Sequence, residues 1–152
     1  PMFLLMRSFK LLDTYWSLII VYSAFLLPYV IWMLKNFFDQ IPYALEAAAR
    51  MDGCSRLGAL FRVIIPVSAP GVVATAIFAF IGAWNEFLFG LILSTNTAVP
   101  VMVKLSSLVS TTFHSDNSLV AAAGVLAMLP VVVVVFALNR YIIRGLVEGV
   151  KY

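Results

Sequence analysis

The chain has 152 residues, of which 63% are hydrophobic and only 11% are charged, whereas soluble domains are about 45–50% apolar and about 25% charged. This composition excludes a soluble globular protein. The formal net charge of +3 does not indicate a nucleic-acid-binding protein either, because the ten basic residues are spread along the chain without a basic stripe or interleaved aromatic residues.

Three long apolar stretches are each long enough for the roughly 20-residue helix that crosses a bilayer. The first predicted span covers about residues 14–34 and contains Pro28, which is expected to bend it. The other two cover about 66–93 and about 119–141. Before them, residues 1–13 are apolar with two cations, which is typical of the end of an earlier span or of an interfacial helix. We therefore predict an all-α integral membrane protein, a helical bundle with three full spans.

A short helix is predicted between the first two spans, in the segment of about 39–65. Pro42 suits the first helical position, the alanine-rich run after it favours a helix, and Gly53 stands where a helix ends in a left-handed residue. Ser55 is a candidate cap for a second helix that enters the next span and is interrupted near Pro66. The alanines permit close approach by another protein, so the short helix is either a docking element or a plain interfacial helix. The residue pattern alone leaves both interpretations open.

The second span contains three unusual neighbours, Trp84, Asn85 and Glu86. An ionisable residue within a span usually faces protein or a water-filled cavity. These three residues are therefore candidates for lining a solute path, since they combine an aromatic face with polar groups. The other interpretation is that Asn85 and Glu86 bond to neighbouring helices near the outer interface and hold the bundle together. The segment that follows, 94–117, is predicted to be a loop with one short helix.

The distribution of Lys and Arg predicts the orientation of the chain, because cytoplasmic segments retain these residues. Three spans place residues 35–62 and the C-terminal tail on one face, and this face carries seven basic residues against three on the other. The short helix and the C-terminus are therefore predicted to be cytoplasmic.

Several kinds of site are excluded by residue counts and motifs. Cys54 is the only cysteine in the sequence, so there is no disulfide, no CxxC motif and no thiolate metal site. One histidine cannot form a bis-histidine haem site, and no phosphate loop of the GxxxxGK[ST] type is present. We predict no cofactor, no metal site and no catalytic residues in this chain, and the missing phosphate loop means that it does not hydrolyse ATP itself.

The run EAAARMDG, followed by CSRLGALFR and VIIP, resembles the EAA loop of bacterial ABC importer permeases. Val63 and Ile65 replace the usual residues of its closing motif, while Pro66 is retained. The stretches LLDTYWSLII, LLPYVIW, WNEFLFGLIL and RYIIRGLVEGVKY are similar to the carbohydrate branch of these permeases, specifically the maltose-type second permease subunit. The resemblance covers essentially the whole chain.

The resemblance implies that residues 1–152 are the C-terminal part of one six-span permease domain, with the EAA helix docked in a groove of a cytoplasmic ATPase. Its implied partners are a second permease subunit, two ATP-binding cassette subunits, an extracytoplasmic solute-binding protein and a sugar substrate, in the bacterial inner membrane. The implied ATPase-docking residues are Glu46, Ala47, Ala48, Asp52 and Gly53, with Gly149, Val150 and Lys151 of the tail as secondary candidates. The ending EGVKY departs from the family's usual tail.

Two other function classes compete with an importer subunit. In a proton-coupled secondary transporter, Glu86 would carry the coupling proton, transport would depend on pH and no ATPase would be needed. A membrane anchor or assembly protein would have no solute path. Neither class gives a reason for the spacing of the EAA loop.

Overall fold

The computed structural model describes residues 1–112 and 117–148. All regular elements in these ranges are helical, so the all-α prediction is confirmed. In chain order they are α1 (Met2–Ser8), α2 (Tyr15–Asp39), α3 (Tyr43–Met51), α4 (Arg56–Ala59), a π-helix (Leu60–Ile64), α5 (Ile65–Val67), α6 (Ala69–Trp84), α7 (Leu88–Leu93), α8 (Val101–Thr112) and α9 (Asn117–Glu148).

Among the described residues, two helices are long and apolar enough to cross a membrane, namely α2 and the part Asn117–Leu138 of α9. The helix α2 is 25 residues long and is not interrupted at Pro28. Many of its large apolar side chains are exposed, among them Phe25, Ile31 and Trp32. Such exposure is expected where lipid, and not water, surrounds a helix.

A third span is present only if two helical segments that meet at a sharp bend are counted together. Arg56–Val67 and Ala69–Trp84 are bent by 71° relative to each other at Ser68. The segment predicted as one span, 66–93, is thus divided: α6 ends at Trp84, and α7 is a separate helix of six residues.

The bend follows a stretch in which regular α-helical hydrogen bonding is already lost. Five residues form the π-helix, a rare conformation that is frequent at functional sites. Pro66 then removes a backbone donor. The Ser68 hydroxyl donates to the Ile64 carbonyl at 2.6 Å, and this buried side chain therefore satisfies a backbone acceptor at the point where the helix turns.

The described residues fall into two compact units. The first comprises Pro1–Leu27 and Phe80–Val134, and the second comprises Pro28–Ala79 and the described residues from Val135 onward. The core of the first unit is formed by Met6, Val21 and Leu93, against which the partly buried side chains of Leu11, Leu12, Leu18 and Phe89 pack.

Within the first unit, one carboxylate holds a loop that lies far from it in sequence. Asp13 accepts hydrogen bonds from four consecutive backbone N–H groups, those of Thr95 (2.8 Å), Asn96 (3.0 Å), Thr97 (3.0 Å) and Ala98 (3.4 Å). Its own N–H donates to the Leu93 carbonyl at 2.9 Å. We call Asp13 and the N–H groups of 95–98 the Asp13 clamp.

The clamp also fixes the charge state of Asp13. Its backbone donors, led by Thr95, hold the pKa of the Asp13 carboxyl well below its usual range, because hydrogen bonds to the ionised form favour that form. Asp13 has a positive φ of 56°, which an aspartate tolerates better than most residues. The loop 94–98 is therefore held by an ionised side chain throughout the neutral pH range.

Candidate functional site

The short helix predicted after Pro42 is present as α3, and its predicted glycine end is confirmed. Pro42 is extended (φ −59°, ψ 130°) and precedes the first helical residue. Gly53 has a φ of +85° and its N–H donates to the Arg50 carbonyl at 3.1 Å. This left-handed residue reverses the chain directly after the helix, as glycine readily allows.

The second helix begins at the predicted cap. The Ser55 hydroxyl accepts a hydrogen bond from the Gly58 N–H at 3.1 Å, and Ser55 itself is extended. The two caps leave only a short link between α3 and α4 outside helical elements. They define where α3 ends and where α4 begins.

The five EAA-loop residues named from the sequence do not share one exposed face. Ala48, Asp52 and Gly53 are exposed, whereas Glu46 and Ala47 are half-buried. The inner face of α3 is marked by Ala49, which is 5% exposed. A protein that docks on the outer face of α3 would therefore touch only some of the five residues.

The most exposed large apolar side chains on α3 are two that the sequence analysis did not identify. Met51 is 88% exposed and Tyr43 is 71% exposed. Methionine and tyrosine offer large contact areas to a partner protein. Their position at the two ends of a short polar-flanked helix is the only signal in the sequence that could have identified them.

A cavity of about 550 Å³ adjoins α3 in the second unit. Glu46 and Tyr43 line it from α3, Asp39 from the end of α2, and Arg56 and Leu60 from the segment after the turn. The lining of this cavity combines acidic and basic side chains with apolar ones. Glu46 therefore faces this cavity, which explains its partial burial.

The trio Trp84, Asn85 and Glu86 lies at the break between α6 and α7. The Trp84 indole N–H donates to the Ala127 carbonyl of α9 at 3.1 Å, and its ring stacks on Phe80. The Asn85 amide donates to the Ile81 carbonyl at 2.9 Å. Asn85 also lines a largely apolar cavity of about 290 Å³. Of the three residues, Asn85 is the one that the structure leaves facing open space.

Glu86 is engaged by the start of the next helix. One carboxylate oxygen accepts from the Phe89 N–H at 2.9 Å, and the other accepts from the Gly90 N–H at 3.1 Å. A carboxylate in this position satisfies N–H groups that have no partner within a helix. The Tyr22 hydroxyl, which is buried and makes no hydrogen bond among the described residues, lies close to the same carboxylate. Glu86 thus stabilises the break in the helix.

The tail residues Gly149, Val150 and Lys151 lie outside the described residues. Groups of His, Cys, Asp and Glu that could hold a metal ion do not occur in 1–112 or 117–148.

Comparison with known families identifies the chain. The family described as "Binding-protein-dependent transport system inner membrane component" matches residues 1–148. The chain belongs to this family. The arrangement of α3, the glycine turn and the bent helix that follows is therefore to be interpreted as part of an inner-membrane transport component.

Curated relatives agree with this assignment. The sulfoquinovosyl glycerol transport system permease protein SmoH of Agrobacterium fabrum is 38% identical over 98% of this chain and 52% of its own length. The trehalose transport system permease protein SugB of Mycobacterium tuberculosis is 38% identical over 98% and 55%, respectively. The trehalose/maltose transport system permease protein MalG of Thermococcus litoralis is 37% identical over 90% and 50%.

The resemblance to carbohydrate permeases of ABC importers is confirmed by these matches. The chain spans about half the length of the curated relatives.

Proposed function

We propose that this chain forms part of the pore of an ATP-driven importer for a sugar or sugar-like solute, and that a separate ATPase drives alternating access through α3. The observation that carries the proposal is the exposed face of α3. This helix ends at a left-handed glycine. The chain that contains it belongs to a family of inner-membrane transport components. A short helix with exposed apolar ends needs a partner, because the large apolar side chains at these ends, Tyr43 and Met51, have little protein around them.

The geometry suits the transmission of motion. The helix α3 has nine residues, which at 1.5 Å per residue makes a rigid rod of roughly 14 Å. The glycine turn at its end connects α3 to α4 and the π-helix. The chain then continues through the bend at Ser68 into α6. Movement of a docked ATPase would displace this rod as a unit and tilt the helix to which it is connected.

The proposed assembly contains a second permease subunit, two ATPase subunits and an extracytoplasmic solute-binding protein. We place it in the bacterial plasma membrane with the α3 loop and the C-terminus in the cytoplasm, as the excess of Lys and Arg in these segments favours. The tail residues Gly149, Val150 and Lys151 remain a second predicted contact with the ATPase.

The proposed solute class comes from the relatives, whose names refer to sulfoquinovosyl glycerol, trehalose and maltose. Within the predicted path residues, the contacts favour Asn85, because its carbonyl oxygen makes no described hydrogen bond and the side chain lines a cavity. Trp84 and Glu86 are occupied by hydrogen bonds to backbone groups.

The proton-coupled alternative is less well supported. A coupling carboxylate has to exchange protons with water during transport. Both oxygens of Glu86 instead accept backbone N–H groups, and protonation of the carboxylate would weaken its bonds to these two helix-start donors. If this alternative holds, uptake persists without the ATPase and is abolished in Glu86→Gln.

Co-purification of the ATPase with the full-length membrane protein tests the proposal. We compare the natural sequence with Met51→Lys, Glu46→Lys and Gly53→Pro. The matched control is Asn96→Lys, which adds a positive charge at an exposed position of the loop 94–98. We expect the ATPase to be recovered with the natural protein and the control, and to be lost with Met51→Lys and Gly53→Pro.

Glu46→Lys tests whether the ATPase contacts the cavity side of α3 or its exposed face. Because Glu46 faces the cavity and is half-buried, we expect it to weaken recovery of the ATPase less than Met51→Lys does. Equal recovery of the ATPase with all variants would contradict docking on α3. Absence of the ATPase from the natural protein would contradict the importer proposal itself.

A further inference from the structure

The second unit contains one helix contact that only a glycine permits. Gly71 lies near the start of α6 and is buried against Phe37 of α2. A Cβ atom added to Gly71 would lie 2.6 Å from Cδ1 of Phe37 and 2.8 Å from its Cβ. Distances this short do not occur between real side chains, so one of the two helices would have to move.

Rotation of the Phe37 side chain cannot relieve the clash completely. Its Cβ is attached directly to the backbone of α2 and does not move when the ring rotates. Any side chain at Gly71 would therefore push the backbones of α2 and α6 apart. Interior glycines also disfavour helices. The close contact gives a physical reason for a glycine at this position.

The contact lies beside the bend at Ser68, three residues earlier in the chain. On the far side of the bend are the π-helix, α4 and α3. The buried face of α6 continues past the contact with Ala74, Thr75 and Ile77, and the Thr75 hydroxyl donates to the Gly71 carbonyl at 2.8 Å. The contact thus marks the point where α6 becomes firmly packed.

Open space lies directly next to this firm contact. A cavity of about 150 Å³ is lined by Phe37 and Gly71 together with Gln40, Val67 and Ser68. It separates the end of α2 from the α5–α6 junction. The junction therefore has room to move on one side, while Gly71 is held against α2 on the other.

We propose that the Gly71–Phe37 contact is the fulcrum of the coupling mechanism, about which the α5–α6 junction turns into the neighbouring cavity when α3 is displaced. Gly71 and Phe37 are then positioning residues that act through α3 and α6. The inference rests on the proposed ATPase docking at α3. It goes further by naming the fixed point and the direction of movement.

The test measures the width of the cavity in the full-length permease assembled with its ATPase. Gln40→Cys and Val67→Cys place one thiol on each side of the cavity, in a background where Cys54 and any other cysteine are serine. The rate of cross-linking by a short bifunctional reagent is compared without ATP and with a non-hydrolysable ATP analogue. We expect the nucleotide to raise the rate by roughly tenfold, which lies within the usual range of coupling between two sites.

Three further variants identify the fulcrum. In Gly71→Ala the cross-linking rates with and without nucleotide should be nearly equal, while the ATPase still co-purifies. Adding Phe37→Ala should restore part of the effect, because it removes the ring and leaves only the 2.8 Å contact with Cβ. Gly124→Ala is the matched control, since a Cβ there meets no atom within 4 Å, and it should leave the effect unchanged.

The outcomes separate this inference from the proposed function. If the ATPase is bound and the cross-linking rate in the Gly71-containing protein is the same with and without nucleotide, the fulcrum proposal is wrong. This measurement does not depend on the folding of any glycine variant. A full nucleotide effect in Gly71→Ala also overturns the fulcrum proposal, as does a loss that Phe37→Ala does not relieve. Failure of the ATPase to co-purify with the Gly71-containing protein overturns the proposed function and the fulcrum together.

Discussion

The turn after α3 and the loop after α7 are both short links between helices, but they are held in different ways. The turn is fixed by its nearest neighbours in sequence: Gly53 bonds back to Arg50, and Ser55 caps Gly58. The loop 94–98 is fixed by Asp13, which is 82 residues away from Thr95 in the chain. One link is stabilised locally and the other by a long-range ionic clamp.

The two links are therefore expected to respond differently when the neighbouring helices move. A turn held only by local hydrogen bonds keeps its shape while the helices on either side of it move together, which suits α3. A loop held by four N–H groups on one carboxylate cannot move without α1 and α2. The loop 94–98 is therefore tied to the residues around Asp13, whereas the proposed movement of α3 would require no long-range bond at its turn to break.

The largest loss of stability is expected when the carboxylate of Asp13 is removed. In Asp13→Ala, four N–H groups lose a charged acceptor at once and an alanine has to adopt a positive φ. We expect a lower melting temperature in detergent and greater proteolysis within 94–98. Asp13→Asn keeps one oxygen and tolerates the backbone, so its loss should be smaller. Equal losses in the two variants would contradict an ionic clamp.

The clamp also predicts a pH dependence. Its donors lower the folded pKa of Asp13, so its contribution is fully present above the pKa of the unfolded chain, about 3.9, and is lost as the pH falls towards the folded value. The difference in stability between the natural protein and Asp13→Asn should therefore be constant from about pH 5 to 8 and shrink only below about pH 4. A difference that changes near neutral pH would show that another group titrates.

The same distinction explains what could be predicted from the sequence. The short helix, its glycine end and the Ser55 cap depend on signals within about four residues of each other, and all three are confirmed. The Asp13 clamp and the Gly71–Phe37 contact join residues that are distant in the chain. Apolar patterning gives the existence of helices but does not identify which pairs touch.

The break at residues 85–87 is an intermediate case. The apolar pattern predicts one continuous span over 66–93, because hydrophobicity does not distinguish a straight helix from two short ones. Glu86 ends this continuity by bonding the N–H groups three and four residues later. That spacing is local and is compatible with a helix start. The sequence nevertheless does not predict a helix start at Glu86. A charged residue inside an apolar stretch favours a role in a solute path or in a link between helices, and these are the two interpretations that the sequence supports.

A smaller effect is expected at Gly53, the central residue of the local turn. A Cβ there meets no atom within 4 Å, so Gly53→Ala introduces backbone strain but no clash. The left-handed conformation should cost about 1–2 kcal/mol. We expect faster hydrogen exchange at the end of α3 and weaker ATPase recovery, with Gly53→Asn less affected than Gly53→Ala. Equal behaviour of Ala and Asn would argue against a left-handed requirement.

Removal of the Ser55 cap should cost less than strain at Gly53. Ser55→Ala loses one hydrogen bond, to the Gly58 N–H, and such caps are worth about 1 kcal/mol. Hydrogen exchange should accelerate at the first amides of α4 and remain unchanged at 95–98. Ser55→Asp is the control, because it retains an acceptor. Exchange that increases in both regions would mean that the turn and the clamped loop are coupled.

The smallest effect is predicted for Lys35 and Asp39, an ion pair one helical turn apart near the end of α2. The pair is local, like the turn after α3, but both side chains are largely in solvent, at 66% and 59% exposed. Exposed pairs of this spacing contribute about 0.3–0.5 kcal/mol and are screened by salt. A double-mutant cycle with Lys35→Ala and Asp39→Ala should give a coupling energy within that range, which decreases at high ionic strength. A larger value that is insensitive to salt would contradict the description of this pair as a solvent-screened surface contact.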